Sequence, residues 1–335
     1  MRPDELEKSV SAGAAGPLYY LYGDEPYLTS RAESLFQEKL ISPDFRDFNL
    51  TVFYGNECKG GEIVESALTL PFFTERRLVI VRRAGDLPSA AYDLLLPYLQ
   101  QPSASTSLVF VGEKVDLRRK FFTEFKLHGQ LVEFKKLYED KIPGFVRSEV
   151  ARCGKRIDNA AAELLVYLAG SNLRELASQV EKLVLFVGAR DSVTADDVRE
   201  IVSDTRVETV FSLANALGER NASKGLRALH TILGDGEAPL MVLFMLTKHF
   251  RQLWTVREML GRKQSPQDIS KATRVPPFFV NGIIAQAKGF REQEFIAIFE
   301  RLFAMDLAMK RGGDKTGSQL ERFVIELCGR QLAGG

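Results

Sequence analysis

Leu18-Tyr19-Tyr20-Leu21-Tyr22-Gly23-Asp24-Glu25-Pro26-Tyr27-Leu28-Thr29-Ser30 is the stretch on which the fold turns. Its first five residues form a short apolar run closed by Gly23, and a helix-like pattern follows from Tyr27 to Leu40. Such a run predicts a buried strand that feeds a helix. Outward from it the pattern recurs. Leu50 to Tyr54, Leu78 to Val81, Leu108 to Val111 and Leu131 to Phe134 are further strand candidates, with helical patterns between them. Continuous apolar strands alternating with helices imply a mostly parallel sheet covered on both faces. The first 135 residues therefore read as α/β.

After about residue 140 the strand signals disappear. Asp158 is placed to cap a helix carrying Leu164, Leu165 and Leu168, and Gly170-Ser171-Asn172 breaks the chain. Leu173, Leu176, Val180 and Leu183 then recur at helical spacing, and Thr194-Ala195-Asp196-Asp197 resembles a capping box. Thr205-Arg206 is a joint, and the remainder is again helical. Pro239 opens a long apolar stretch through Leu243, Leu246, Phe250 and Leu253, read as a helix buried on several sides. Ser265-Pro266-Gln267-Asp268 is a further N-cap with proline at the first helical position. Phe295, Phe299, Leu302 and Phe303 are assigned to one face of a later helix, and Leu320, Phe323, Val324 and Leu327 to one face of the last.

An α/β domain followed by a small helical one is the layout of many nucleotide hydrolases, so the phosphate loop decides the chemistry. A working loop follows the first strand as G-x-x-x-x-G-K-[ST], where backbone N–H groups and a lysine hold phosphates. Here that position reads Gly23-Asp24-Glu25-Pro26-Tyr27-Leu28-Thr29-Ser30, without the second glycine or the lysine. Asp24 and Glu25 would repel phosphate, and Pro26 removes an N–H. The strand candidate at Leu78 to Val81 ends in Arg82-Arg83 instead of an acidic pair that would hold Mg²⁺. ATP hydrolysis is not expected, and no cofactor is. Gly312-Gly313-Asp314-Lys315-Thr316-Gly317 is a decoy: Asp314 precedes the lysine, no strand precedes the glycines, and an interhelical loop accounts for it.

Composition narrows the alternatives. The 335 residues carry 45 Lys and Arg against 44 Asp and Glu, a net charge of +1. A dedicated DNA-coating protein would be far more basic, so contact with nucleic acid should be local or shared. Cys58, Cys153 and Cys328 are too far apart for a disulfide framework or a metal site, and His128, His230 and His249 have no metal-ligand spacing. With neither a signal peptide nor a membrane-length apolar run, a soluble cytoplasmic protein is expected.

Taken together, these segments resemble the delta subunit of the bacterial DNA polymerase III clamp loader. Pro17 to Leu28 is similar to that family's opening strand and degenerate loop. Leu70-Pro71-Phe72-Phe73-Thr74-Glu75-Arg76-Arg77-Leu78-Val79-Ile80-Val81 is similar to its most recognisable segment. Leu173-Arg174-Glu175-Leu176 through Gln179-Val180-Glu181-Lys182-Leu183 resembles its lid helix, and Val210 to Leu217 the start of its third domain. Asp306 and Lys310 fit the family pattern too. The resemblance runs from about residue 17 to 332.

It implies an AAA+-like fold in three parts. These are an inactive nucleotide-type α/β domain over 1–140, a small helical lid domain over 141–207 and a C-terminal helical collar domain over 208–335. It also implies partners: the sliding clamp (beta subunit), three motor subunits and a delta-prime subunit in a hetero-pentamer, and primed DNA within the assembly. The family's clamp contact, an apolar pair at a helix tip, falls on Phe72 and Phe73, with Leu70 beside them. Independently, Leu68, Leu70, Phe72 and Phe73 crowd six positions around Pro71, close to the next strand. An apolar knob left exposed there would mark an interaction site, whereas on periodicity alone both rings cap the domain's own core. The slot where many clamp-binding peptides carry glutamine holds Leu68.

Arg118-Arg119-Lys120, after the fourth strand, is a candidate contact to DNA or a neighbouring subunit, and otherwise a solvated helix face. Ala151-Arg152-Cys153 lacks the serine of the Ser-Arg-Cys arginine-finger motif and reads as structural. The competing functions are an AAA+ ATPase with an unusual loop, a delta-prime-like stator and an AAA+-related adaptor. The missing lysine opposes the first; the missing Ser-Arg-Cys motif and zinc-binding cysteines oppose the second.

Overall fold

The computed structural model describes residues 1–202, 206–311 and 317–329, with the side chains of 206–211 and of Phe278 left undescribed. The chain divides into two compact units, Met1–Tyr138 and Glu139–Gly335.

The first unit is built on five parallel strands: β1 (Leu18–Tyr22), β2 (Leu50–Tyr54), β3 (Arg77–Arg82), β4 (Thr106–Val111) and β5 (Gln130–Glu133), in the order β2-β3-β4-β1-β5. Leu18 lies beside Leu108 and Tyr20 beside Leu131, so β1 is flanked on both sides. The helices are α1 (Pro3–Ser11), α2 (Pro26–Leu40), α3 (Arg46–Asn49), α4 (Gly60–Leu68), α5 (Ser89–Gln100) and α6 (Lys120–His128). Successive strand residues point to opposite faces, and here both faces are covered. Leu18, Tyr20, Val79, Val81, Leu108 and Phe110 meet Ile63 of α4, Leu95 of α5 and Phe121, Phe122 and Phe125 of α6. Tyr19, Leu21, Leu78, Ile80 and Val109 meet Leu6 and Val10 of α1 and Phe36 of α2. That two-sided burial is why the strands lack polar alternation.

The second unit is helical: α7 (Ile142–Arg152), α8 (Asn159–Ala169), α9 (Leu173–Val187), α10 (Ala195–Val202), α11 (Arg206–Gly218), α12 (Ala222–Gly234), α13 (Pro239–Gly261), α14 (Pro266–Thr273), α15 (Pro277–Lys288), α16 (Glu292–Lys310) and α17 (Ser318–Cys328). The caps fall where their residue types predict. The Asp158 carboxylate accepts the Ala161 N–H at 2.7 Å, and Asn172 Oδ1 accepts the N–H groups of Arg174 and Glu175. Thr194 and Asp197 exchange backbone-to-side-chain bonds, as do Ser265 and Asp268.

Two expectations need correction. Strand signal does not vanish after residue 140, because β6 (Arg156–Ile157) and β7 (Ser192–Val193) pair in parallel. Two residues are too few to carry a periodicity. Phe303 does not share the buried face of Phe295 and Leu302, and is 65% exposed. One residue beyond Leu302 rotates the side chain by about 100° around the helix. The joint at Thr205 and the glycines and lysine at 312–316 lie outside the described residues.

Candidate functional site

In a parallel sheet all loops that follow strands gather at one edge and all segments that precede strands at the other. The first unit treats its two edges differently.

At the carboxyl edge, Gly23 has φ 136° and approaches β5 closely: a Cβ there would lie 2.2 Å from the Phe134 carbonyl oxygen. Glu25 donates its N–H to that carbonyl at 3.2 Å, and its carboxylate accepts the Tyr27 N–H at 3.3 Å. The start of α2, whose positive dipole end would favour a phosphate, is therefore capped by the chain's own acid. At the end of β3, Arg82 binds the buried Glu33 through Nε at 2.9 Å and Nη2 at 2.6 Å, and Tyr54 Oη through Nη1 at 3.0 Å. The Glu33 hydrogen bond holds Arg82 still more firmly protonated. A guanidinium, not a carboxylate, occupies the place of a Mg²⁺ ligand.

At the amino edge, α4 ends at Leu68 and the chain runs irregularly to β3. Leu70 is 77% exposed, Phe72 46% and Phe73 79%. The rings do not cap the core. Phe72 and Phe73 meet edge to face with centroids 4.5 Å apart. Two rings absent from the sequence reading complete the group. Phe48 of α3, 56% exposed, lies 4.8 Å from Phe72, and Phe45 stacks on Phe73 at 6.1 Å. Leu68 joins Val64 and Leu94 in lining a hollow of about 500 Å³ beside Thr69.

Polar groups hold this knob from beneath. Buried Asn49 accepts the Phe72 N–H at 2.7 Å through Oδ1 and donates Nδ2 to the Phe72 and Phe45 carbonyls at 2.9 and 3.2 Å. Arg77 donates to the Phe48 carbonyl at 2.7 Å and to Thr51 Oγ1 at 2.9 Å. Arg76 reaches Ser107 Oγ at 3.2 Å. Phe73 itself has φ 51°, a left-handed conformation unusual for a bulky residue. The sequence held one clue to Phe45 and Phe48, two aromatics three residues apart in a short polar segment. For Asn49 it held none.

Arg118, Arg119 and Lys120 are exposed. Arg118 grips Asp116 with two bonds of 2.8 and 3.0 Å, and the Asp116 carboxyl is thereby held below its usual range. Arg119 lies 5.8 Å from the Tyr92 ring centroid, and Lys120 opens α6. Arg152 pairs with Glu149 at 3.1 Å. No group of ligands suited to a metal ion occurs among the described residues, and no helix there is long and apolar enough to cross a membrane.

A five-stranded parallel sheet covered by helices on both faces, with an acid in the turn after its first strand, followed by a helical unit, defines a protein of α/β plus all-α architecture. Residues 19–135 match the family model for the DNA polymerase III delta subunit, and residues 207–327 that for its C-terminal domain. The chain is 30% identical to DNA polymerase III subunit delta of Bacillus subtilis, covering 97% of each. It is 23% identical to a probable delta subunit of Aquifex aeolicus over 76% of this chain and 74% of that one. The solved Bacillus subtilis DNA clamp loader delta protein superposes with a TM-score of 0.63 at 29% identity, over 98% of this chain and all of that one. The chain belongs to the DNA polymerase III delta subunit family.

Proposed function

We propose that this chain is the non-catalytic subunit of a cytoplasmic bacterial clamp loader that binds the sliding clamp and holds its ring open for placement on primed DNA. The observation that carries this is the exposed cluster of Leu70, Phe72 and Phe73 at the amino edge of the sheet. Burial of aromatic side chains in a partner's pocket is the commonest source of interface energy. Residues 1–140 serve as the clamp-binding domain, 141–207 as the lid and 208–335 as the collar, which joins the motor and delta-prime subunits. The exposed Phe303 and Leu307 of α16 offer the collar apolar surface for that purpose. Opening follows if the subunit binds the sprung clamp more tightly than the closed one, which shifts the ring's own equilibrium. Arg118, Arg119 and Lys120 are assigned to DNA phosphates or a neighbouring subunit. The test is surface plasmon resonance of the full chain over an immobilised sliding clamp. Binding is expected; its absence would remove the assignment.

A further inference from the structure

The aromatic knob is assembled from two segments of chain, and one buried side chain joins them. Asn49 presents its amide to Phe72 much as a neighbouring strand would, accepting the N–H and donating to the C=O of the same residue. Its second Nδ2 hydrogen serves the Phe45 carbonyl one turn back, so three of its four hydrogen-bonding positions are used. Pro71 has no N–H, and Phe73 stands in the left-handed region. Neither neighbour therefore fixes Phe72 through regular structure. Without Asn49, the 72–73 segment would keep its ring contacts with Phe45 and Phe48 but lose the hydrogen bonds that fix Phe72's backbone to the turn carrying them. On the other side Arg77 fixes that turn through the Phe48 carbonyl.

We propose that Asn49 is a positioning residue for clamp docking, and that the surface it organises includes the Phe48 ring. This rests on the clamp-binding role assigned above. Phe48 is continuous with Phe72, more exposed than it and within ring-contact distance of it. A clamp pocket that takes the Phe72 and Phe73 rings would meet Phe48 at its rim. Order matters as much as area here. Two exposed phenylalanines on a loose loop bind only in the fraction of molecules that hold them correctly, and apparent affinity falls by that fraction.

The two roles leave different kinetic marks. Removing Phe48 deletes a contact, so dissociation should quicken. Removing the Asn49 amide leaves all contacts available but makes the competent arrangement rarer, so association should slow while dissociation stays near that of the parent. Full-length Phe48→Ala, Asn49→Ala and Asn49→Asp are to be measured over immobilised sliding clamp, each with a melting curve. Both alanine variants are expected to lose about tenfold in affinity, divided between the two rates as stated. Asn49→Asp keeps an acceptor for the Phe72 N–H but sets a second carboxylate oxygen against the Phe72 and Phe45 carbonyls, so its association should be at least as slow as that of Asn49→Ala. Parental rates in Asn49→Ala, or a loss carried by faster dissociation instead of slower association, would return Asn49 to a structural role. Should Asn49→Ala not fold, parental association by Asn49→Asp together with parental dissociation by Phe48→Ala would overturn the proposal. The Phe72→Ala/Phe73→Ala pair separates the two levels. If it binds like the parent, the clamp assignment falls; if it alone loses binding, only the present inference does.

Discussion

The two edges of one sheet have opposite fates. The carboxyl edge, where doubly wound folds bind their ligands, is closed by the chain's own side chains: Glu25 caps α2 and Arg82 pairs with buried Glu33. The amino edge, usually a place of structural turns, presents Phe48, Phe72 and Phe73 to solvent. The difference between the edges goes beyond the absence of a phosphate-loop lysine. One edge carries internal side-chain pairs that hold it shut, while the other carries exposed apolar surface. A substitution at the first edge should cost stability; one at the second should cost binding.

The sharpest test of that division is the knob itself. Phe72→Ala with Phe73→Ala should weaken clamp binding by two to four decades, about 3–6 kcal/mol if both rings enter a pocket. The melting temperature should move little, because both rings are already in contact with water. A parental affinity with a collapsed melting point would reverse the roles of the edges and make the rings structural.

Gly23→Ala probes the other edge and should show the converse. A Cβ at 2.2 Å from the Phe134 carbonyl, on a backbone with φ 136°, cannot be accommodated without moving β5 or the loop. A stability loss of about 3–5 kcal/mol is expected. Urea unfolding gives the loss, and clamp affinity of the remaining folded protein should match the parent. Loss of affinity without loss of stability would show that the edges communicate.

Arg82→Ala should act in the same direction but less. It strands Glu33, which is buried, and breaking a buried pair is ordinarily costly. The arginine side chain is 38% exposed, however, so water screens the pair and can enter on its removal. The expected loss is about 1–2 kcal/mol by chemical denaturation, with clamp binding unchanged. A gain in stability would mean that the pair is not what holds this edge.

How far this contrast could be read in advance depends on whether the signal was local. The three inner strands were legible because a strand buried on both faces is a continuous apolar run, as in Leu78 to Val81, while the less buried edge strands β2 and β5 showed only as short apolar segments. The closed loop was legible because the residues that close it stand within four positions of Gly23. Leu70, Phe72 and Phe73 were legible as an apolar excess, although periodicity alone would have sent both rings inward. Asn49, Phe45 and Phe48 were not. Asn49 contacts Phe72 across 23 residues, and nothing in an isolated asparagine tells a buried tie from a surface turn. The pairing of Arg82 with Glu33 was hidden for the same reason, spanning 49 residues. Phe303 shows the limit of spacing arguments: four apolar residues within nine positions do not all fit one face of a helix.

The smallest expected effect is none at all, and it is the most exacting for the carboxyl edge. Titration of ATP with Mg²⁺ into the purified chain should give no binding heat. Phosphate affinity at the start of a helix depends on free backbone N–H groups and a net positive potential. Here the Tyr27 N–H is already taken by the Glu25 carboxylate, Pro26 supplies none, and Asp24 adds a second negative charge to the turn. Supplying the missing cation alone, as in Thr29→Lys, should not restore binding, because the donors would remain occupied. The more informative variant is Glu25→Gly, which uncaps α2 and removes one charge. Weak nucleotide binding by Glu25→Gly but not by the parent would show that the side-chain plug, more than the lost lysine, silences this edge. Micromolar affinity in the parent chain would mean that the edge is open, and the contrast between the two edges would fail.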